Sequence, residues 1–217
     1  MPPRSRRDYI LFTHGKYAPK DLAFYKGLTK GKITIAVDGG LRFFLPNRTW
    51  PDILLGDFDS IHKPRTLSAA VEVIEYPSAK DKTDTHLAVE LAVERGATSI
   101  DIVMPSLGEP DHLLGTILLS FLDAAAKVRL RIVNRRFDIH PLIDGVVTIA
   151  GGQGDMVSVV PISERGRYSC TGVEFPVRDA ALRLGDTLSL RNHITAGRAR
   201  FEVRGKALLV RNYAGGR

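Results

Sequence analysis

The chain has 217 residues, of which 44% are hydrophobic and 25% are charged, and its formal net charge is +7. This length allows a sizeable core in one large domain or two modest ones, and the composition is ordinary for a soluble globular protein. The positive charge attracts anions in general and does not choose among nucleotides, RNA and acidic lipids.

Individual residue types exclude several classes of protein. The single cysteine, Cys170, excludes an intramolecular disulfide and fits a reducing compartment. The six histidines lie far apart without the spacing of a zinc site, so we predict no structural metal. The apolar run at residues 9–12 is too short for a signal peptide, and no run approaches the ~20 residues of a membrane helix. We therefore expect a soluble, cytoplasmic protein without a membrane partner.

The first 134 residues alternate between strand and helix signals. The predicted strands are residues 9–12, 33–37, 53–55, 71–75, 99–104 and 128–133. The predicted helices are residues 20–29, 41–45, 83–95 and 113–125. Because this alternation is typical of a parallel sheet with covered faces, we predict a Rossmann-like parallel-sheet α/β domain at residues 1–134.

The pattern changes near residue 135 to short alternating runs divided by Gly, Asp and Pro. These runs are residues 146–149, 156–160, 187–190, 200–203 and 208–210. Evenly spaced short strands are typical of a β-sandwich or barrel, and we predict an all-β sandwich domain at residues 135–217. Residues 154–159 resemble residues 185–190, and both predict a turn followed by a strand. The glycine run 151–154 predicts a hairpin turn, because it lacks the Lys-Ser/Thr ending of a phosphate loop.

Three acidic clusters stand where strands end or a helix begins. They are Asp38-Gly39-Gly40, Gly56-Asp57-Phe58-Asp59-Ser60 and Lys80-Asp81-Lys82-Thr83-Asp84. In an open α/β sheet the carboxyl ends of the strands gather at one edge, where ligands bind, so three separated clusters predict one site. Asp57 and Asp59 are two residues apart, so an extended backbone would project both carboxylates from one face. Mg2+ with a phosphoryl substrate would relieve their repulsion.

A structural interpretation of the same residues also exists. Asp-Gly and Gly-Asp pairs often form turns, which would explain any one cluster alone. Asp84 lies in the first turn of a predicted helix capped by Thr83, where a carboxylate interacts favourably with the helix dipole. Lys80 and Lys82 would then be solvated loop lysines, although beside phosphates their ammonium groups would neutralise charge.

In their order and spacing, the three clusters resemble the successive signatures of the thiamine pyrophosphokinase (thiamin diphosphokinase) family. The resemblance implies an α/β nucleotide-binding domain followed by a β-sandwich, in a homodimer that holds thiamine where the two chains meet. It also implies Mg2+-dependent transfer of pyrophosphate from ATP to the hydroxyl of thiamine, giving thiamine diphosphate and AMP.

The resemblance implies roles for particular residues. Asp57, Asp59 and Asp84 would hold Mg2+ directly or through water, and Lys80 would balance phosphate charge. Asp38 and Asp81 would orient the acceptor hydroxyl or a metal-bound water, and Asp38 is also a candidate general base. The residues expected to contact substrate are Gly39, Gly40, Ser60, Thr83, Asp111, His112 and Asn192. Asp111 and His112 match a Gly-Gly-Arg-x-Asp-His motif of the family, and Asn192 matches a late Ser-Asn-Glu string. A helix start is the alternative interpretation of Asp111-His112.

Four residues depart from those two motifs, and they keep other functions open. Glu109 and Thr116 replace an arginine and an asparagine, while Arg191 and His193 flank Asn192. A carboxylate repels phosphate where a guanidinium attracts it, so a diphosphokinase acting on a different hydroxymethyl acceptor is one alternative. The net charge motivates another, a non-catalytic nucleotide or nucleic-acid binder. We expect no nucleic-acid partner, because the acidic clusters would repel a phosphate backbone.

Overall fold

The computed structural model describes residues 7–59, 67–152 and 154–215. The chain divides into two compact units, residues 1–134 and 135–217. The whole is a sheet-rich fold of mixed α and β structure, and each unit is described by itself below.

Six parallel strands form the sheet of the first unit in the part of the chain that the structure describes. They are β1 Asp8–Phe12, β2 Ile33–Val37, β3 Ile53–Gly56, β4 Glu72–Glu75, β5 Ser99–Val103 and β6 Arg129–Val133. Their order is β6-β5-β1-β2-β3-β4, with every pairing parallel. The central strands are buried nearly throughout, which explains their continuous apolar runs. The strand order reverses beside β1, and such a reversal opens a crevice at the carboxyl ends.

Within residues 7–59 and 67–134, three α-helices and several 3-10 turns lie between these strands. The helices are α1 Leu22–Leu28, α2 Asp84–Glu94 and α3 Pro110–Leu118. The short helix predicted at residues 41–45 is a 3-10 helix, Asp38–Phe43, so it begins directly at the first acidic cluster. The 3-10 turn Pro19–Asp21 precedes α1.

The single helix predicted at residues 113–125 is wrong in both bounds. Helix α3 begins at Pro110, a residue suited to a first turn, and it ends at Leu118. Two 3-10 turns, Leu119–Phe121 and Asp123–Ala125, follow, and the backbone of Leu122 between them is extended. The Ser120 hydroxyl donates to the carbonyl of Ile117 at 2.6 Å, a local bond that competes with helical continuation.

Aromatic residues pack the core of the first unit directly beneath the first acidic cluster. Phe12, at the end of β1, stacks on Phe43 with ring centroids 4.1 Å apart, and Phe44 meets Phe12 edge-on. Tyr25 of α1 completes this buried cluster. Each buried ring stabilises the fold by about 3 kcal/mol. This packing fixes the Asp38–Phe43 helix against the end of β1.

Antiparallel strands form the second unit, with no helix in the ranges 135–152 and 154–215. The strands are β7 Phe137–Ala150, β8 Met156–Pro161, β9 Arg165–Thr171, β10 Val177–Arg183, β11 Asn192–His193 and β12 Arg198–Asn212. Strand β12 pairs with β7 along its length, with β9 at residues 200–204 and with β8 at residues 207–212. Its inward residues, with Tyr168 and Cys170 of β9, form the core of this unit.

Several predictions for this unit need correction. The short runs predicted at residues 146–149, 200–203 and 208–210 are parts of the long strands β7 and β12. The strand predicted at residues 187–190 is wrong. The backbone N–H of Leu190 donates to the carbonyl of Thr187 at 3.1 Å in a turn, and Leu188 is 82% exposed. The similarity between residues 154–159 and 185–190 is therefore not a structural repeat, because only the first copy continues into a strand.

A buried polar network lies within the second unit. Arg211 and Asp138 are only 5% and 1% exposed, and Arg211 Nη2 lies 3.5 Å from Asp138 Oδ2. The Tyr213 hydroxyl accepts from Arg211 and donates to Asp138. Burial, and then the bond to Asp138, raise the pKa of Tyr213 to about 12. The buried charges of Arg211 and Asp138 therefore offset each other, which reduces the cost of removing them from water.

Candidate active site

The carboxyl ends of β1, β2, β3 and β5 surround an open crevice of about 1180 Å³ in the first unit. Acidic and basic side chains line it together. They include His14 after β1, Asp38 after β2, Asp57 and Asp59 after β3, and Lys80 and Asp84 near the start of α2. The structure thus brings the three predicted acidic clusters into one site, as the rule for parallel sheets requires.

The first cluster depends on close approach of the backbone. Asp38 is buried and has a left-handed φ of 44°, at the first residue of the 3-10 helix. A Cβ on Gly40 would lie 1.7 Å from the carbonyl oxygen of Phe12, and one on Gly39 would lie 2.2 Å from His14 Nδ1. Only glycine fits at position 40, whereas a side chain at position 39 would require the exposed His14 ring to move. Both glycines therefore hold Asp38 against the end of β1, and their contact with substrate stays a prediction.

The second cluster brings its acids together through a turn, which differs from the extended geometry expected from their spacing. Phe58 has a left-handed φ of 60°, and the backbone N–H of Asp59 donates to Asp57 Oδ1 at 3.2 Å. One carboxylate oxygen from each of Asp38, Asp57 and Asp59 lies within 4.8 Å of the others. A bulky residue in this backbone region costs about 1–3 kcal/mol, a type of strain that clusters at functional sites. Ser60 lies outside the described residues.

Lys80 links the second and third clusters. Its Nζ lies 3.0 Å from Asp57 Oδ2 and 3.2 Å from Asp84 Oδ1. The bond from Lys80, with the backbone N–H of Asp59, lowers the pKa of Asp57. Burial raises the pKa of Asp84, and the neighbouring carboxylates add to that rise although Lys80 opposes it. Burial disfavours the charged form of Lys80, but its two carboxylate partners outweigh burial and raise its pKa. The lysine is therefore charged.

The remaining residues of the third cluster have different positions. Thr83 caps α2, because its hydroxyl accepts from the backbone N–H of His86 at 3.2 Å, and it also lines the crevice. Asp81 lines the crevice as well. Lys82 is held by Glu90 of α2, with 2.7 Å between Nζ and Oε2, so its charge is already matched on the helix surface.

The later predicted residues do not all reach the crevice. His112 and Glu109 line it, whereas the carboxylate of Asp111 accepts from the backbone N–H of His112 at 2.8 Å. Glu109, Asp111 and His112 also form an exposed acidic group, which by itself indicates no metal. Asn192 lies in the second unit. Its side-chain oxygen accepts from the N–H of Phe175 at 3.0 Å and its amide donates to the carbonyl of Phe175 at 2.8 Å, and its contact with substrate stays a prediction.

Several crevice residues were missed in the sequence. His14, Lys16, Tyr17 and Arg42 all line the crevice, and Arg42 Nη1 lies 3.5 Å from His14 Nε2. The sequence could have indicated His14 and Lys16, because they follow the end of β1 just as Asp38 follows the end of β2. Arg42 lies one turn beyond Asp38 on the same 3-10 helix, which the prediction had started only at Leu41.

The fold and the crevice together define an α/β protein with an acidic, cation-containing site at the carboxyl edge of a parallel sheet, where such proteins bind ligands. The family model for the catalytic domain of thiamin pyrophosphokinase matches residues 24–132, and the chain belongs to this family. The relationship predicted from the three acidic clusters is confirmed.

Individual relatives extend the similarity beyond the matched domain. The chain is 28% identical to the thiamine pyrophosphokinase of Bacillus subtilis (strain 168) over 192 residues, which cover 86% of each chain. It is also 28% identical to thiamin pyrophosphokinase 1 of Caenorhabditis elegans over 190 residues, covering 76% of this chain and 73% of the relative. The crystal structure of a Bacillus subtilis thiamine pyrophosphokinase matches 95% of this chain and 99% of its own, with 27% identity and a TM-score of 0.83.

A helix that crosses a membrane must be both long and apolar. No helix among the described residues meets both requirements.

Proposed function

We propose that the protein is an enzyme that transfers pyrophosphate from ATP to the hydroxyl of thiamine, giving thiamine diphosphate and AMP. The observation that carries this proposal is the meeting of Asp38, Asp57, Asp59 and Lys80 in one crevice of the first unit. Membership of the thiamin pyrophosphokinase family supports ATP and thiamine as the two substrates.

The donor set of the crevice fits Mg2+. Asp38, Asp57 and Asp59 present carboxylate oxygens within 4.8 Å of one another, and a hard divalent cation prefers oxygen ligands. We assign the ion to these three residues, because Asp84 does not belong to the group of carboxylates that lie within this distance of one another. The sequence had favoured Asp57, Asp59 and Asp84. When bound, Mg2+ neutralises phosphate charge and orients the phosphates for displacement.

Cations of the crevice would hold the rest of the phosphate chain. Lys80 is charged, and its ammonium lies beside Asp57, next to the proposed ion. Arg42 lies four residues beyond Asp38, about 8 Å along a 3-10 helix, and a guanidinium can bind phosphate through two parallel bonds. Arg42 and Lys16 therefore extend the positive charge away from the acidic trio.

The chemistry is then mainly positioning. The hydroxyl oxygen of thiamine attacks the β-phosphorus, the bond from that phosphorus to the oxygen bridging the α-phosphate breaks, and AMP leaves with that oxygen. Asp81 lines the crevice outside the acidic trio, and we assign it to orient the hydroxyl and to accept its proton. Holding the reacting groups in this geometry replaces a bimolecular encounter and supplies much of the rate.

We further propose a division of labour between the units. Residues 1–134 would be the Rossmann-like domain that binds ATP and Mg2+, which their all-parallel sheet supports. Residues 135–217 would be a β-sandwich that contributes to the thiamine site and to a homodimer in the cytoplasm. Besides β7, strand β12 pairs with β9 at one end and with β8 at the other, and this change of partner supports a two-layered second unit. Sedimentation equilibrium tests the dimer, and a monomer at assay concentration would contradict it.

A second candidate function would use the same crevice with a different acceptor molecule. Glu109 lines the crevice next to His112, at the position where the family motif has an arginine, and its carboxylate would repel phosphate there. A diphosphokinase acting on another hydroxymethyl compound would use the same acids and the same lysine.

The test is AMP formation from ATP and Mg2+, with and without thiamine and with other hydroxymethyl compounds. We expect AMP and thiamine diphosphate in equal amounts with thiamine, and neither product from the Asp57→Asn variant. AMP formation with another alcohol and not with thiamine would favour the second candidate. Absence of AMP with every acceptor would overturn both.

A further inference from the structure

Arginines cover the outward face of three neighbouring strands in the second unit. Along strand β9, outward and inward residues alternate. Arg165 and Arg167 are exposed, whereas Tyr168 and Cys170 are buried in the core. Residues directly opposite on antiparallel strands share a face, and the register places Arg183 of β10 opposite Arg165 and Arg204 of β12 opposite Arg167. Four arginines thus form one group, which we call the arginine face.

The arginine face surrounds an open depression of about 450 Å³ whose lining contains no carboxylate. Neighbouring strands are about 4.8 Å apart and alternate residues about 7 Å apart, so the group spans about 10 Å by 7 Å. Arg167 is paired with Asp179, at 2.6 Å between Nε and Oδ1. Within residues 7–59, 67–152 and 154–215, Arg165 and Arg183 form no ion pair with any carboxylate.

This arrangement costs stability, because like charges directly opposite each other in a sheet repel. The second unit carries 13 basic and 8 acidic residues, a net charge of +5, and 12 of the 13 basic residues are arginine. The first unit mixes arginine and lysine equally, nine of each. Arginine differs from lysine in its planar fork, which binds phosphate in a bidentate manner. Repelling arginines around a depression without acids indicate an anionic ligand.

We propose that the arginine face binds a compact oligophosphate anion, a short chain of linked phosphates, at a site separate from the crevice. The four guanidinium groups would share two or three phosphates, which relieves the repulsion between opposite strands. The neighbouring surface disfavours a long polyanion, because Asp179 and Glu202 interrupt the positive charge beside the depression. Glu202 is itself paired with Arg200 at 3.1 Å.

The experiment titrates inorganic tripolyphosphate into the full chain by calorimetry, in buffer freed of divalent cations so that no metal ion draws the probe into the crevice. The test variant is Arg165→Ala with Arg183→Ala. The matched control is Arg178→Ala with Arg198→Ala, which removes the same charge from exposed positions outside the depression. We expect the test variant to bind about a hundredfold more weakly, and the control to stay within about threefold of wild type.

The outcomes separate a built site from general electrostatic attraction. Equal weakening in both variants, or no change in the test variant, would overturn the proposal. Tighter binding of a 20-nucleotide RNA than of tripolyphosphate, weakened alike by both variants, would also overturn it in favour of an extended surface. The melting temperature of the test variant should not fall, because its substitutions remove a repelling pair, and this excludes misfolding as the cause of lost binding.

Discussion

The two units use charge in opposite ways at their surfaces and in the same way in their interiors. The crevice of the first unit gathers carboxylates around Lys80, whereas the arginine face of the second unit gathers four guanidinium groups beside one carboxylate, Asp179, which pairs with Arg167. Buried charges are matched in both units, by Asp101 with Arg131 and by Asp138 with Arg211. The contrast teaches that matched buried charges preserve the fold, whereas unmatched charge is concentrated where a ligand can supply the missing partner.

The largest expected effect removes a carboxylate from the acidic trio. Asp59→Asn should lower kcat for thiamine-dependent AMP formation about a thousandfold, since an amide lacks the anionic charge that a divalent cation requires. Circular dichroism should stay unchanged. Asp123→Asn, an exposed acid of the same unit outside the crevice lining, is the matched control. Near wild-type turnover in Asp59→Asn would show that the trio does not hold the ion.

The close approach of Gly40 to the backbone of Phe12 should make position 40 intolerant of a side chain. Gly40→Ala places a Cβ 1.7 Å from the Phe12 carbonyl, so it should destabilise the fold by about 3 kcal/mol or more. Gly27→Ala, in α1 with no atom within 4 Å of its Cβ, should instead stabilise by about 0.5–1 kcal/mol. Urea unfolding of both variants measures the difference. A Gly40→Ala variant as stable as Gly27→Ala would contradict the packing account.

Matched buried charge should appear as a pH dependence of stability. Burial works against the charged form of Asp101, but the bonds from Arg131 and Lys32 outweigh it and lower the pKa. Because the folded pKa lies below the unfolded one, this contribution is present above about pH 4 and is lost as the pH falls further. Asp101→Asn should cost about 2 kcal/mol at pH 7, and less at pH 3. An equal cost at both pH values in urea unfolding would contradict the pairing.

The smallest expected effect concerns a cation of the crevice. Arg42→Ala should raise KM for ATP about tenfold and change kcat less, because it removes a charged contact to phosphate. Arg48→Ala, an exposed arginine a few residues further along the chain and outside the crevice lining, should leave KM unchanged. Equal KM values for ATP in the two variants would remove Arg42 from the site.

The sequence was most informative where local rules decide the structure. Buried parallel strands such as β2 and β5 carry continuous apolar runs, and Thr83 gives a clear helix start, so these elements were predicted closely. The meeting of Asp38, Asp57 and Asp59 followed from sheet topology, although the left-handed Phe58 was not foreseen. The spacing of residues in a sequence does not show when a single residue adopts a left-handed backbone conformation.

The failures arose where long-range packing decides the structure. The apolar run of residues 113–125 has helical periodicity throughout, yet the extended backbone of Leu122 interrupts it. Strands β9 and β10 were missed because some of their inward positions carry small residues, Gly166 and Ala180, which weaken the apolar half of the alternation. His14 and Arg42 come together only through the pairing of β1 with β2, which sequence spacing does not encode.

The most direct test of the account measures thiamine-dependent AMP formation in three proteins side by side, namely the wild type, Asp57→Asn, and Arg165→Ala with Arg183→Ala. AMP should form with the wild type and with the arginine variant at similar kcat, and Asp57→Asn should lose about a thousandfold in kcat. Activity that survives in Asp57→Asn, or that disappears in the arginine variant, would contradict the claim that the chemistry belongs to the acidic crevice of the first unit.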